Sequence, residues 1–521
     1  MLPLMITLFY PPACYTPLFL YKMFIIIHIG NIYLCTQSQD KGACNDMYNN
    51  VKHFINGEWV ESTGNETIDV INPATEEKMG TISAGTEEDL DKAVQAARKA
   101  FPSFSNTTRE ERVKLLDRIA DEYEKRKDDF IKVITQELGS PVTFTEKTQY
   151  EMGLRHFRET AKILRDFEFT EQREGSFIQK DAIGVSGLIT PWNFPTNQLS
   201  TKLASAIAAG STVILKPASQ TPYAAMLVAE VFEAAGVPKG VFNLVNGSGS
   251  KIGNAISSHP DIDFVSFTGS GGVGTKIMEN AAQDITKVSL ELGGKSPIII
   301  LDDADVKYAA RNAITNIAAN TGQVCTAGTR ALVPASMHDE FIEAIKELLP
   351  EFPVGDPQDK NTFTGPQVSE EQWNTVQDYI QKGIDSGATL VAGGTGKPDG
   401  LETGFYSKLT VFTDVNRDDT IAQEEIFGPV LSVITYNDLD EAIEIANDTI
   451  YGLAGYVVGE NPETLTKAAK GIRAGRITVN DGKADFSAPF GGFGQSGIGR
   501  EWGDYGIEEF LEPKTILGLP N

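Results

Sequence analysis

Cys325 lies in the run Asn320-Thr321-Gly322-Gln323-Val324-Cys325-Thr326-Ala327-Gly328, between a helix-like segment and an apolar strand-like one. The chain has four cysteines, and the other three, Cys14, Cys35 and Cys44, fall in an N-terminal stretch of foreign composition. A lone thiol in the body of a protein can form no disulfide there and no cysteine metal cluster. Carried on a tight glycine-flanked turn, it suits a nucleophile. Residue type leaves a second reading open, an inert cysteine that packs as a small hydrophobe. Glu291 stands between Leu290 and Leu292 and is followed by Gly293-Gly294-Lys295. An apolar setting raises a carboxyl pKa toward the range useful for a general base; an exposed strand-end glutamate is the alternative. Gly269, Gly271 and Gly274 spell G-x-G-x-x-G between a strand-like run and a helical run over 273–282. That context lets backbone approach a pyrophosphate at a helix N-terminus, although a glycine-rich turn can also exist without a ligand.

Those residues need a scaffold, and 521 residues are enough for more than one domain. A hydrophobic content of 41% with 22% charged residues is that of a globular protein. The net charge of -26 argues against nucleic acid as a partner, because phosphate binding needs a basic surface. Apolar runs at 183–190, 211–216, 241–245 and 263–268 alternate with helical ones, one of which starts at Thr221-Pro222. Such alternation implies a parallel sheet covered on both faces. A strand at 298–301 and a helix at 305–319 lead to the cysteine turn. Beyond it a second alternating region has strands at 331–333 and 431–435 and helices at 337–349, 370–383 and 440–446.

Earlier in the chain, 53–60 reads as a hairpin, and Thr86 with Asp89 forms a capping-box-like start. Thr108 opens a long helical run that Gly139 and Pro141 end. Residues 163–182 alternate like a projecting hairpin. The tail from Tyr505 onward holds an apolar stretch able to pair with another subunit's edge. The glycine-rich loop at 482–499 is long enough to be functional.

Residues 1–46 differ from the rest. The uninterrupted apolar part, 23–29, is too short to span a bilayer, and no orderly basic start or small-residue cleavage site is present. We expect translation to start at Met47 and no membrane association, a membrane anchor being the alternative. A body that depends on one reduced thiol is expected in the cytoplasm.

Seven motifs occur in the order of the aldehyde dehydrogenase superfamily, which the chain resembles from about residue 51 to its C-terminus. They are Pro191-Trp192-Asn193-Phe194-Pro195, Lys216-Pro217-Ala218, Phe267-Thr268-Gly269-Ser270, Leu290-Glu291-Leu292-Gly293-Gly294-Lys295, Gly322-Gln323-Val324-Cys325, Glu425-Ile426-Phe427-Gly428-Pro429 and Pro489-Phe490-Gly491-Gly492. The resemblance implies an α/β fold. A Rossmann-like dinucleotide-binding domain would span 47–162 and 183–293, and an α/β catalytic domain 294–503. A small β oligomerisation element, 163–182 with 504–521, would join homodimers or homotetramers.

It further implies that Cys325 attacks an aldehyde and that Asn193 and the Cys325 N–H stabilise the oxyanion. A hydride then passes to NAD, and Glu291 activates water to hydrolyse the thioester. Lys216 and Glu425 would hold the two riboses, and Phe427 would pack near the nicotinamide ribose. Trp192 and the turn Gly269, Ser270, Gly271, Gly272, Val273 and Gly274 would meet the adenine side and pyrophosphate. Phe194, Gln198, Val324, Thr326 and Phe490 would line a tunnel for a small neutral or aliphatic aldehyde. No metal is implied.

Ser219 departs from the glutamate with which many NAD-preferring members bind the adenosine ribose. NADP is thus possible, but no arginine stands beside Ser219 to recruit its extra phosphate, and NAD is favoured. An acylating, coenzyme A-dependent member and a catalytically silent one are the alternatives. Glu291 argues against the first, and the presence of Cys325, Glu291 and Asn193 against the second.

Overall fold

The structure, a computed structural model, describes Tyr48 and residues 50–518; the expectations for 1–46 and a start at Met47 lie outside the described residues. From Val51 onward the chain builds two α/β layers and a small outlying sheet. The first layer alternates strand and helix: β1 (Val185–Ile189), α1 (Pro195–Ala209), β2 (Thr212–Lys216), α2 (Pro222–Ala234), β3 (Phe242–Leu244), β4 (Phe264–Thr268), α3 (Gly271–Ala281) and β5 (Lys287–Glu291). The five strands are parallel in the order β5-β4-β1-β2-β3. The hairpin Lys52–Ile55 and Glu58–Glu61 adds to the β3 edge, and Gly497–Ile498 adds antiparallel to β5. The hairpin turn is Asn56-Gly57, both at positive φ (54° and 73°), as a tight two-residue connection demands.

β1, β2 and β4 are buried along their whole length, which explains why they read as largely apolar runs with few charges. Every residue of α1 is buried as well. In open sheets of this kind ligands bind at the carboxyl ends of the strands. Pro191 and Trp192 follow β1, Lys216 ends β2, Gly269 follows β4 and Glu291 ends β5, so the singled-out residues gather at one edge.

From β5 the chain passes directly into the second layer. Its strands are β6 (Ser296–Ile300), β7 (Gly328–Pro334), β8 (Thr389–Ala392), β9 (Thr410–Thr413), β10 (Val430–Tyr436), β11 (Ala454–Val458) and β12 (Arg476–Val479), in the order β8-β9-β10-β7-β6-β11-β12. Only the β8–β9 pairing is antiparallel. Helices α4 (Val306–Ala318) and α5 (His338–Leu348) pack one face around Ile298, Ile300, Ala331 and Val433. Helices α6 (Glu370–Asp385) and α7 (Leu439–Asn447) pack the other around Ile299, Leu332 and Val457. Each such fully buried aliphatic side chain contributes about 1.5–3 kcal/mol. Cys325 lies just before β7 and Glu425 just before β10, so this sheet presents its amino ends to the site.

Three local expectations change. The run opened by Thr108 is two helices, Arg109–Glu124 and Lys127–Leu138, the second ended by left-handed Gly139. The helix after β4 starts at Gly271, not 273, its first turn closed by the Gly274 N–H donating to the Ser270 carbonyl at 2.9 Å. The C-terminal stretch is a short helix, Gly503–Glu509, before the strand Leu511–Leu517. That strand pairs antiparallel with Ser176–Ala182, which pairs with Thr170–Arg173, giving a separate three-stranded sheet.

Candidate active site

The turn that carries Cys325 is strained and heavily tied. Asn320, Thr321 and Gly322 are successive left-handed residues (φ 49°, 61° and 71°), and each such non-glycine position costs of order 1–3 kcal/mol. The surroundings hold them there. Asn320 Nδ2 donates to the Asn193 carbonyl at 2.9 Å, and Gln149 Nε2 donates to the same carbonyl at 3.1 Å. Thr321 Oγ1 donates to the Gly365 carbonyl at 3.0 Å, and Gln323 Oε1 accepts from the Val368 N–H at 2.9 Å. A Cβ on Gly322 would stand 2.2 Å from the Gly428 oxygen, so the cysteine turn abuts the Glu425–Pro429 segment with no room to spare. Within that segment Phe427 is left-handed too (φ 56°), its carbonyl accepting from Gln372 Nε2 at 3.0 Å.

Cys325 opens on a cavity of about 280 Å³ that also takes in Trp192, Asn193, Gln198, Thr268, Glu425 and Phe427. The residue keeps part of its surface on the cavity. Its thiol pKa is pushed up to about 12, first by burial and then by the nearby carboxylates of Glu425 and Glu291; Arg476 pulls it the other way. Asn193 is 3% exposed, and its Nδ2 donates to the Gln323 carbonyl at 2.9 Å. A side-chain amide carries two hydrogens, so one stays available on the cavity side.

Glu291 is 3% exposed and neither of its carboxylate oxygens has a hydrogen-bond partner. Burial, with Glu501 close by, raises its pKa well above the ordinary carboxyl range; Lys202 and Arg500 oppose that. Lys202 Nζ pairs with Glu501 and donates to Ser266 Oγ at 2.8 Å. Lys202 thus favours the ionised form of a carboxyl whose burial disfavours it. On the other side of Cys325, Phe490, Trp502 and Leu453 form a buried apolar cluster, with Phe490 and Trp502 stacked at 4.8 Å.

Several features fit a dinucleotide. The N-terminus of α3 has no side-chain cap, and a Cβ on Gly271 or Gly272 would meet nothing within 4 Å. Gly269 and Gly274 differ: a Cβ there would stand 2.4 Å from Phe267 and 2.7 Å from Leu292, so they permit close packing. The Thr268 hydroxyl, on the cavity wall, is buried without a partner. Buried Lys216 donates only to its neighbour Pro217, at 2.8 Å, and burial lowers its pKa to about 8. Glu425 accepts from the Gly294 N–H at 3.0 Å, and burial lifts its pKa to about 7. Among the described residues no His, Cys, Asp and Glu group is arranged to hold a metal.

Of the residues singled out from sequence, Cys325, Asn193, Trp192, Gln198, Gly269, Ser270, Glu425 and Phe427 share the one cavity. Ser219 lines another cavity, beside Asp69, Glu370 and Glu371. Val273 is 50% exposed on α3, Phe194 starts α1 at 9% exposure, and Thr326 is buried with its carbonyl taken by Tyr456 Oη at 2.8 Å. Val324 adjoins Cys325 and is partly exposed. Lys202, Glu501, Gln149, Asn320, Thr268 and Gln372 were not singled out. Lys202 did carry a signal, as a lone lysine in the small and apolar run 199–210.

The aldehyde dehydrogenase family model matches residues 59–516. The chain is 58% identical over 472 residues to a Staphylococcus haemolyticus protein named as an aldehyde dehydrogenase with no stated substrate, covering 91% of this chain and 99% of that one. Aldehyde dehydrogenase C of Pseudomonas syringae, solved as a mutant with NAD+ and octanal, is 42% identical with a TM-score of 0.89, over 90% of this chain and 97% of that one. A Mycobacterium tuberculosis aldehyde dehydrogenase solved with NAD+ is 40% identical with a TM-score of 0.88, over 91% and 98%. On these grounds the chain belongs to the aldehyde dehydrogenase family.

Proposed function

We propose that the protein oxidises an aldehyde to its carboxylic acid with NAD+ through a thioester on Cys325. The observation that carries this reading is one cavity holding the Cys325 thiol, the Asn193 amide, the uncapped start of α3 nearby and Glu425. At neutral pH a thiol pushed up to about 12 keeps its proton, so the nucleophile must be made on demand. Water admitted by the cavity takes that proton, and Glu291, a carboxyl of raised pKa with both oxygens unpartnered, is kept for the later attack of water. Sulfur then bonds to the aldehyde carbon, and the carbonyl oxygen becomes an alkoxide. The free Asn193 hydrogen and the Cys325 N–H, which bonds no other described backbone group, stabilise that charge.

Lys216 and Glu425 would hold the two riboses of the dinucleotide, and the uncapped start of α3 would meet its pyrophosphate. When bound, NAD+ supplies the acceptor for the hydrogen that leaves the substrate carbon with its electron pair. Cys325 is left as a thioester. Glu291 next removes a proton from the attacking water, the acid departs, and sulfur is regenerated. Lys202, paired with Glu501, favours the ionised form of Glu291 that this step needs. Asp69, Glu370 and Glu371 near Ser219 disfavour an added phosphate, which supports NAD over NADP.

The apolar cluster around Phe490 suits an uncharged aliphatic aldehyde. The dinucleotide domain comprises 47–162 and 183–293, and the catalytic domain 294–503. The three-stranded sheet of Thr170–Arg173, Ser176–Ala182 and Leu511–Leu517 joins subunits in a homodimer or homotetramer. The test is NADH absorbance on adding octanal and NAD+ without coenzyme A. Wild type is expected to turn over and Cys325→Ala to be inert; turnover by Cys325→Ala at the wild-type rate overturns the proposal.

A further inference from the structure

Arg112, on the helix Arg109–Glu124, takes no part in the site above. It is 6% exposed, and its Nε is sealed from solvent with no acceptor. Among the described residues its guanidinium makes no ion pair and no hydrogen bond. One face lies over the Phe169 ring, 4.8 Å from its centroid. Behind it, left-handed Gly210 ends α1; a Cβ there would come within 2.6 Å of Nη1, so glycine keeps the space open for the guanidinium. Burial lowers its pKa to about 10, which still leaves it charged at neutral pH. A buried cation with no partner is costly, and folds keep one where an anion meets it.

The guanidinium borders an open cavity of about 560 Å³, walled also by Asn106, Gln179, Lys180, Asp181 and Lys514. Both lysines are already neutralised: Lys514 Nζ lies 2.5 Å from Asp181, and Lys180 Nζ 2.6 Å from Glu508. Arg112 is therefore the cation of this wall with no carboxylate in contact, Glu110 on its own helix acting only through space. Its planar fork matches the two oxygens of a carboxylate or phosphate. No residue lines both this cavity and the one holding Cys325.

We propose that this cavity binds a small carboxylate- or phosphate-bearing anion from solution, with Arg112 as its principal partner. It is a second ligand site, separate from the aldehyde and dinucleotide positions. Calorimetric titration of the full-length protein with inorganic phosphate, and separately with malonate, at constant ionic strength tests this. Wild type should show saturable binding, one anion per subunit, and the stronger probe identifies the chemistry preferred. Arg112→Gln should bind at least about tenfold more weakly, the loss of a charge-assisted pair. Its kcat for octanal should stay at the wild-type value. Asp181→Asn, which removes a negative wall charge and frees Lys514, should bind more tightly, and it tests the idea even if Arg112→Gln does not fold. No saturable binding by wild type overturns the proposal, as does equal binding by folded Arg112→Gln. If Arg112→Gln instead splits the oligomer in sedimentation while wild type binds neither probe, the partner is a carboxylate of a second subunit and the proposal fails.

Discussion

Asn193→Ala isolates the stabilisation of the oxyanion. The amide gives one hydrogen to the Gln323 carbonyl at 2.9 Å, which leaves the other free on a residue that lines the cavity. Removing the side chain loses both. The structural loss is small, because Gln323 keeps a second donor, Asn320 Nδ2, at 3.3 Å; a net hydrogen bond is worth about 1 kcal/mol. The catalytic loss is larger, since one oxyanion donor in a dry site is worth ~2.7–4 kcal/mol, or about 100- to 1,000-fold in kcat. Activity should therefore collapse while the fold survives. Steady-state kinetics with octanal, alongside urea unfolding and NAD+ titration, separates the two effects. We expect kcat to fall by that factor, dinucleotide affinity to hold and stability to drop by about 1 kcal/mol. A variant whose kcat stays within about threefold of wild type, under ~1 kcal/mol of barrier, would refute the assignment.

Three further perturbations follow from the geometry. Gly322→Ala forces a Cβ to 2.2 Å from the Gly428 oxygen at a φ of +71°. It should cost at least ~2 kcal/mol of stability and most of the turnover, and unchanged thermal melting would contradict the packing described. Glu137, fully buried, accepts from the Tyr223 and Ala224 N–H groups at 2.8 and 3.0 Å, and burial raises its pKa to about 8. The folded state then binds the extra proton, so this group's contribution is full below the ordinary carboxyl range and fades as pH climbs to about 8. Urea midpoints measured between those limits should fall more steeply for wild type than for Glu137→Gln; parallel curves would sink that sign. Ser219→Glu should lower kcat/KM for NADP more than for NAD+, in an enzyme that already prefers NAD+. A wild-type preference for NADP would show that Asp69, Glu370 and Glu371 do not act as argued.

The sequence exposed local signals well and distant ones poorly. The cysteine turn is legible because its glycines and small polar residues can do little else, and the buried strands because they are largely apolar. The capping box at Thr86 forms as its spacing suggests, and the helix opened by Thr108 starts with another. The start of α3 is hard to read because glycine propensity opposes helix, while the Gly274 N–H to Ser270 carbonyl bond closes a turn there. Lys202 and Glu501 are 299 residues apart, and no local pattern links them. The same holds for Gln149, whose contacts to Asn193 and Asn320 tie the cysteine turn to the first layer. Family resemblance pointed to Asn193 and Gln198 where periodicity could not, since both lie at the buried start of the first layer's α1 region.

The central claim is that Cys325 carries the acyl group until Glu291 directs water at it. Glu291→Gln mixed with NAD+ and octanal, quenched in acid and analysed by peptide mass spectrometry, tests it most directly. The account predicts an octanoyl mass increment on the peptide containing Cys325, formed with one equivalent of NADH and released slowly. Octanoic acid produced at the wild-type rate, with Cys325 unmodified at every quench time, would contradict it.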